Sequence, residues 1–557
     1  MKMFCLRRFQ QLFHAENLQN ISGKSFSKIT SANDSFFITT PIFYVNGDPH
    51  LGHFYTAAIA DALSRYKNLA TGCDVIFSTG TDEHGLKIQQ AAAKGNELPN
   101  SYANRMSKKF MELCDKGNIQ YTQFIRTTSE QHQVAVKTFW ETLMSRGYIY
   151  KGIYEGWYCV SDETFLTESQ VTENSLPNGK SEMVSLESNN LVEWISEDNY
   201  IFKLSSFKDD LIHWIKKDVI KPRIFTTKIL NLIEDLEDLS VSRPVSRLNW
   251  GVSVPNDPDH TVYVWLDALI NYLTVVGYPN KPIYKWPPDC QVIGKDILKF
   301  HAIYWPAFLI AANLEPPRNI LCHSHWLAKN EKMSKSKGNV VDPIPRMNKF
   351  SVDGFRYLLL SRGVPKSDVS YNDVTSREKL NNELMGVTGN LVQRVTTLNL
   401  NKKREFPKCH PNLFNAACGE DGQEIVRRVS VLPELVEKHF SEYEIYKAIQ
   451  DIINCLRMIN IFLQTQKPWT NKDNPSKESE TETVLYTCME TIRICAILLQ
   501  PIIPEISSKI LWRLGIPENE RLIKGLKCFT AVTSNEPAIH EGRKLPSDTM
   551  VIFPKIL

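Results

Sequence analysis

The tetrapeptide His50-Leu51-Gly52-His53 places two imidazoles three residues apart around a glycine, where an apolar run gives way to helical spacing. At such a helix start the amide donors favour an anion, a glycine lets a flat ligand reach the backbone, and imidazoles can donate to phosphate oxygens. A second set, Lys332-Met333-Ser334-Lys335-Ser336, carries two ammonium groups on flexible stems ahead of Gly338, a loop able to close over a triphosphate and reopen. Alone, the first set reads better as a pair of surface histidines, and the second as an exposed basic loop. Their occurrence together, one after the first strand of a sheet and the other after its last, points to chemistry on a nucleotide.

The elements that must position them can be read from pattern. Phe36 to Tyr44 is β-branched and aromatic and reads as one buried strand ending near Asn46-Gly47, followed by helical spacing from Leu51 to Asn68. A second strand, Asp74 to Thr79, runs into the polar group Thr79–Gly85, and helical spacing resumes at Lys87. Strands alternating with helices predict an α/β domain with a Rossmann-like parallel sheet, whose ligands sit at the carboxyl ends of strands. Between Gly147 and Val254 short aromatic segments, a polar loop at Glu173–Asn190 and acidic helices near Ile229–Leu239 read as a connective insertion. The alternation returns in 261–273, 290–311 and 319–327; beyond about Glu378 nearly everything has helical period, with a solvated loop at Asn471–Glu482 and a terminal strand at 550–557. The expected order is a first catalytic half at 35–146, the insertion at 147–254, a second catalytic half at 255–330, the lysine-rich loop region at 331–377 and an all-α helix bundle at 378–557.

Composition narrows the classes. The chain has 557 residues, 42% hydrophobic and 23% charged, which excludes collagen-like, disordered and coiled-coil readings. Apolar runs are too short or too interrupted to span a bilayer, so no membrane helix is expected. Met1–Asp34 holds five Lys/Arg against two acids, leaving 60 of each in the rest, so a polyanion must be met by local contacts. That first segment has apolar residues at spacings of three and four (Cys5, Leu6, Phe9, Leu12, Phe13), Arg7 and Arg8 off the stripe, then Ser22, Ser25 and Ser27. It is the acid-poor pattern of an organellar transit peptide; a tail that targets nothing fits the same residues. Twelve cysteines without a CxxC pair suit a reducing compartment with free thiols, and no metal or structural zinc site is expected. His323-Ser324-His325 has no third ligand at recognisable spacing and reads as structural or nucleotide-proximal.

With these motifs in place the chain resembles the class I aminoacyl-tRNA synthetases, and within them the methionyl-tRNA synthetases of mitochondrial or bacterial single-chain type. The resemblance runs from about Phe36 to Leu557 through residues 41–53, 80–85, 262–272, 293–301, 332–343, 389–394 and 467–469, with HLGH in place of the usual HIGH. It implies a ligase that joins L-methionine to ATP, with Mg²⁺, as methionyl-adenylate and then charges tRNA(Met), in the mitochondrial matrix. It also implies site residues. His50, His53, Lys332 and Lys335 would be catalytic; Gly52, Gly294 and Asp296 would bind ATP with them. Ile42, Tyr44, Asp82, Trp265, Tyr272 and His301 would bind methionine, and Asn390, Arg394 and Trp469 the anticodon, within an anticodon-binding bundle. By spacing alone Trp265 and Tyr272 fit core aromatics, and Arg394 and Trp469 an ordinary surface. The insertion lacks the CxxC knuckles of many relatives and must be held by its own core, and without an appended domain a monomer is expected. Two other readings stay open from the residues: a class I synthetase for another apolar amino acid, for which the insertion is too short to hold an editing domain, and a catalytically silent tRNA-binding relative.

Overall fold

A computed structural model describes residues 35–557 apart from 161–163, 176–180, 187, 281–282, 334–337, 472–473, 535, 537 and 548–549. The transit-peptide expectation at 1–34 and the second loop lysine, Lys335, lie outside the described residues. Seven strands form one parallel sheet. β1 (Phe36–Thr39) pairs on one side with β3 (Val75–Asp82) and on the other with Cys290–Gly294. Ile320–His323 and then Ile220–Lys221 extend the second side, while β2 (Phe43–Tyr44) and β4 (Gln123–Arg126) both pair with β3. The strand order reverses at β1, so the carboxyl ends of β1, β3 and Cys290–Gly294 frame the crevice where such sheets bind ligands.

The expected single strand from Phe36 to Tyr44 is two. Pro41 has no amide to donate, and the ladder breaks between Thr39 and Phe43 before resuming beside Thr81 and Asp82. α1 (Leu51–Thr71) follows, with most of its residues buried between the sheet and its neighbours, and ends at Gly72 in the left-handed conformation (φ 75°).

The insertion is built on a long antiparallel pair, Ile149–Cys159 with Glu193–Phe202. The polar stretch expected as a loop at Glu173–Asn190 contains most of a second hairpin, Val171–Ser175 with Ser181–Ser185; its few apolar residues, Val171, Met183 and Val184, do not alternate with polar ones, so no period of two betrayed it. The helix near Ile229 spans Ile224–Glu234 and stops short of a strand at Leu239–Ser240. Inside the 147–254 segment, Ile220–Lys221 returns to pair with Ile320 and Leu321 at the edge of the parallel sheet, so the insertion is not separate throughout. Part of its core is cationic: the buried Arg243 guanidinium lies 5.3, 4.9 and 4.5 Å from the rings of Tyr158, Phe165 and Tyr263.

The helical run begins at Asp373–Leu380, ahead of the expected boundary at 378, and continues without a turn through 381–389 into Asn390–Thr396. Phe414–Ser441, Ile445–Gln466, Glu478–Leu499 and Pro504–Arg513 complete the bundle around one shared core. The stretch 471–482 is only partly loop, since Glu478 already begins a helix. The expected terminal strand is absent. Ile552 and Phe553 bury their side chains while Asn381 pins the backbone, donating to Ile556 O and accepting from Ile556 N at 2.8 Å each.

Candidate active site

A cleft of about 330 Å³ opens at the strand ends, and twelve of the sequence-predicted residues line it: Ile42, Tyr44, His50, Gly52, His53, Asp82, Trp265, Tyr272, Gly294, Asp296, His301 and Lys332. They come from five separate stretches of chain. Asn390, Arg394 and Trp469 lie elsewhere, in the helical bundle.

The two histidines are fixed by helix-capping geometry. His50 is the N-cap of α1, in extended conformation, and its Nδ1 accepts from Gly52 N at 3.1 Å; His50 N in turn donates to His53 Nδ1 at 3.1 Å. Each Nδ1 therefore acts as an acceptor, which puts the proton of each neutral ring on Nε2. The rings stack with centroids 3.7 Å apart, and His53 is flanked by Phe43 and Phe110, each 5.1 Å away. Two N–H donors are thus presented side by side at the positive end of a 21-residue helix.

Beside them, His323 ends its strand with Nδ1 2.9 Å from Ser324 O and Nε2 2.8 Å from the Thr56 hydroxyl. A carbonyl only accepts, so Nδ1 carries the proton and Thr56 donates to Nε2. Burial lowers the His323 pKa to about 4 and keeps the ring neutral. His325 instead lies with Nε2 3.3 Å from Asp296 Oδ1, and Lys332 Nζ is 3.7 Å from Oδ2 of the same carboxylate. A Cβ at Gly294 would come within 2.7 Å of Asp296 Oδ1, so a larger residue would displace that carboxylate. Lys332 stands on the short strand Glu331–Lys332, paired with Trp326–Ala328, and opens the lysine-rich loop.

The opposite end of the cleft is apolar. Trp265 is held flat against Phe300, with centroids 3.6 Å apart, and meets His301 edge-on. Tyr272 and His301 are each 1% exposed and are joined by a 2.8 Å bond between the hydroxyl and Nε2. His301 Nδ1 lies 2.9 Å from Ile297 O, so it donates there, and Nε2 accepts from Tyr272. Burial lowers this histidine to about 4 as well, so it is a neutral wall at physiological pH.

Asp82 closes β3 and is 8% exposed. The next two residues anchor it, and sequence reasoning gave them no role. Glu83, fully buried, accepts from Arg126 Nε (2.7 Å), Arg126 Nη2 (2.9 Å), Thr81 (2.7 Å) and the Thr128 hydroxyl, while its carbonyl accepts from Trp250 Nε1 at 2.6 Å. His84 Nδ1 and His132 Nε2 flank the Asp267 carboxylate at 2.7 and 2.9 Å. Burial alone would raise Asp267, but these histidines hold it at about 2. One buried carboxylate thereby ties the end of β3 to the helix Val264–Leu269, which carries Trp265. The available signal was an acid standing inside the apolar run 262–273.

In the bundle, Trp469 is 36% exposed and lies beneath Arg394, whose guanidinium carbon is 5.5 Å from the ring; Asn390 is exposed at the start of the same helix as Arg394. The three form a polar and aromatic surface of the kind that stacks and reads unpaired bases.

Comparisons with known proteins match both regions. A family model described as tRNA synthetases class I (M) matches residues 36–396, and one described as the anticodon-binding domain of tRNA ligase matches residues 422–542. The mitochondrial methionine–tRNA ligase of Homo sapiens is 46% identical over 93% of this chain and 90% of its own length; that of Xenopus laevis is 42% identical over 100% and 99%. Among solved structures, Mycobacterium tuberculosis methionyl-tRNA synthetase in complex with methionyl-adenylate superposes with a TM-score of 0.85 at 36% identity, covering 94% of this chain and all of that one.

Proposed function

The chain belongs to the methionyl-tRNA synthetase family of class I tRNA synthetases, and from that membership we propose the division of labour among its residues. It is an ATP-dependent methionine–tRNA ligase of mitochondria, which activates methionine and charges tRNA. The finer assignments rest on one observation: the paired imidazoles, Asp82 and the aromatic recess open into a single cleft.

Methionine lies with its ammonium at Asp82 and its thioether against Trp265, Tyr272, His301 and Ile42, where sulfur–ring contacts contribute about 0.3–1.5 kcal/mol each. The neutral state of His301 suits an apolar side chain. The adenosine sits over Gly294, with Asp296 accepting from the ribose hydroxyls, and the triphosphate runs across His50, Gly52 and His53. A carboxylate oxygen of methionine attacks the α-phosphorus, the bond to the bridging oxygen breaks, and pyrophosphate leaves. No general base is needed, because the carboxylate is already ionised at pH 7; the demands are alignment and charge stabilisation. The Nε2–H groups of His50 and His53 donate to phosphate oxygens as charge builds, and Lys332 and Lys335 draw off the pyrophosphate. A ribose hydroxyl of the terminal adenosine of tRNA(Met) then attacks the acyl carbon and releases AMP.

The described carboxylates lining the cleft are Asp82 and Asp296 only, a donor set without the clustered oxygens that a bare Mg²⁺ requires, so Mg²⁺ is taken to arrive bound to the ATP phosphates. Asn390, Arg394 and Trp469 read the anticodon. The matrix is the proposed compartment, consistent with the acid-poor first segment. A monomer is the proposed working unit. The test is methionine-dependent exchange of pyrophosphate into ATP by the purified chain, with His50→Ala and His53→Ala each lowering the rate at least tenfold.

A further inference from the structure

The helix Val352–Arg362 follows the lysine-rich loop and carries a fully buried arginine, Arg356, whose guanidinium donates to groups in two domains. Its Nη2 donates to Asp61 Oδ2 at 2.6 Å and to Pro501 O at 3.1 Å, and its Nε donates to Ile502 O at 3.0 Å. Asp61, also fully buried, sits on α1 eleven residues after the N-cap His50, and additionally accepts from Arg65 Nε at 2.7 Å and Gln120 N at 2.8 Å. One guanidinium thus joins the histidine-bearing helix to the turn that leads into the last long helix of the bundle.

The same helix grips that turn a second time, since Asp353 Oδ2 accepts from Ile506 N at 2.7 Å. The helix held there, Pro504–Arg513, ends in Arg513, whose Nε donates to Thr396 Oγ1 at 3.0 Å. Thr396 closes the helix that carries Asn390 and Arg394, and Arg394 lies over Trp469. Four contacts, Trp469 with Arg394, Thr396 with Arg513, Ile506 with Asp353 and Arg356 with Asp61, are therefore joined by the rigid helices that carry them, the last being α1 with His50 and His53 at its start. Burying this much charge is costly unless every partner keeps its geometry, which makes the junction stiff and intolerant of a small shift at one end.

We propose that Arg356, acting through Asp61, is a positioning residue that couples occupation of the anticodon surface to the placement of the two histidines of α1. The inference rests on the reading of the bundle as an anticodon-binding domain, and goes beyond it by naming the groups that carry the coupling. Contiguity alone does not establish coupling, so the test measures it directly.

The full chain, with labelled histidine imidazoles, is titrated with a short stem-loop RNA bearing a CAU loop. In the unaltered chain the RNA shifts the ring signals of His50 and His53. In Arg356→Lys, which keeps the charge but loses the fork, the RNA binds with affinity within about threefold of the unaltered chain and the shifts disappear. Thr396→Val, a mild change at the far end of the series, gives the same loss should Arg356→Lys fail to fold. In aminoacylation, Trp469→Ala lowers kcat and raises the KM for tRNA, whereas in the Arg356→Lys background it raises KM alone. Bound RNA with no imidazole shift in the unaltered chain, equal shifts in both proteins, or multiplicative effects on kcat would each overturn the relay. RNA that binds neither form would overturn the reading of the bundle itself along with the relay.

Discussion

Asp82 and Glu83 are neighbouring carboxylates with different surroundings, and the site assignment requires that their removal give different phenotypes. Asp82 lines the cleft at 8% exposure, whereas Glu83 is fully buried behind it and takes four hydrogen bonds from Arg126, Thr81 and Thr128. Asp82→Asn keeps volume and removes one charge. A charge-assisted bond from a buried carboxylate to an ammonium contributes about 1.5–3 kcal/mol, so kcat/KM for methionine should fall roughly 10- to 150-fold. The KM for ATP should stay within twofold, and because the β3 ladder is made by backbone, the melting temperature should hold. Glu83→Gln breaks the two-pronged bond to Arg126 and should destabilise the fold by about 2–3 kcal/mol, with a smaller change in methionine KM. The assay is pyrophosphate exchange at varied methionine and varied ATP, with thermal melts of both variants. An unchanged methionine KM in Asp82→Asn, or equal rises for methionine and ATP, would refute the assignment of the ammonium to this strand end.

Other expectations follow from the same geometry. Trp469→Ala removes a half-exposed stacking surface worth about 1–3 kcal/mol to a base, so kcat/KM for tRNA drops while exchange without tRNA stays within twofold; equal loss in both assays would mean a folding defect. Lys335→Ala lowers exchange at least about tenfold, on the order of 1.4 kcal/mol, with little change in methionine KM, and exchange near the unaltered rate would remove the loop from the mechanism. Asp353 is pushed up to about 6 by burial and by Glu505, against the Ile506 amide and Arg356. Its folded pKa lies above the unfolded value, so its ionisation opposes folding above pH 6 and the penalty fades as pH falls towards 3.8. Asp353→Asn, which can still accept from Ile506 N, should melt higher than the unaltered chain at pH 8, with the gap closing below pH 6; a gap independent of pH would contradict this.

Much of the site was legible because its parts are local. HLGH lies within four residues at an expected helix start, and the structure puts His50 at the N-cap of α1 with His53 bonded to its backbone. Gly294 and Asp296 lie in a stretch, 290–311, that pattern marked as part of the α/β domain, and the resemblance singled them out. The supporting layer was not legible, because its partners are distant in sequence: Glu83 and Arg126 are 43 residues apart, His132 and Asp267 are 135 apart, and Asp61 and Arg356 are 295 apart. No periodicity reports such pairs. The misread segments fail for the complementary reason. The hairpin at 171–185 has too few apolar residues to give a period of two, and in Met550–Leu557 the strand-like Ile552 and Phe553 bury their side chains outside any strand.

The most direct measurement is a crystal structure of the chain with a non-hydrolysable methionyl-adenylate analogue. The predicted result places the ammonium at Asp82, the thioether between Trp265, Tyr272 and His301, the phosphate within hydrogen-bond reach of the histidine pair and the ribose at Asp296. An analogue seated elsewhere, or one whose phosphate lies beyond the reach of both His50 and His53, would contradict the assignment.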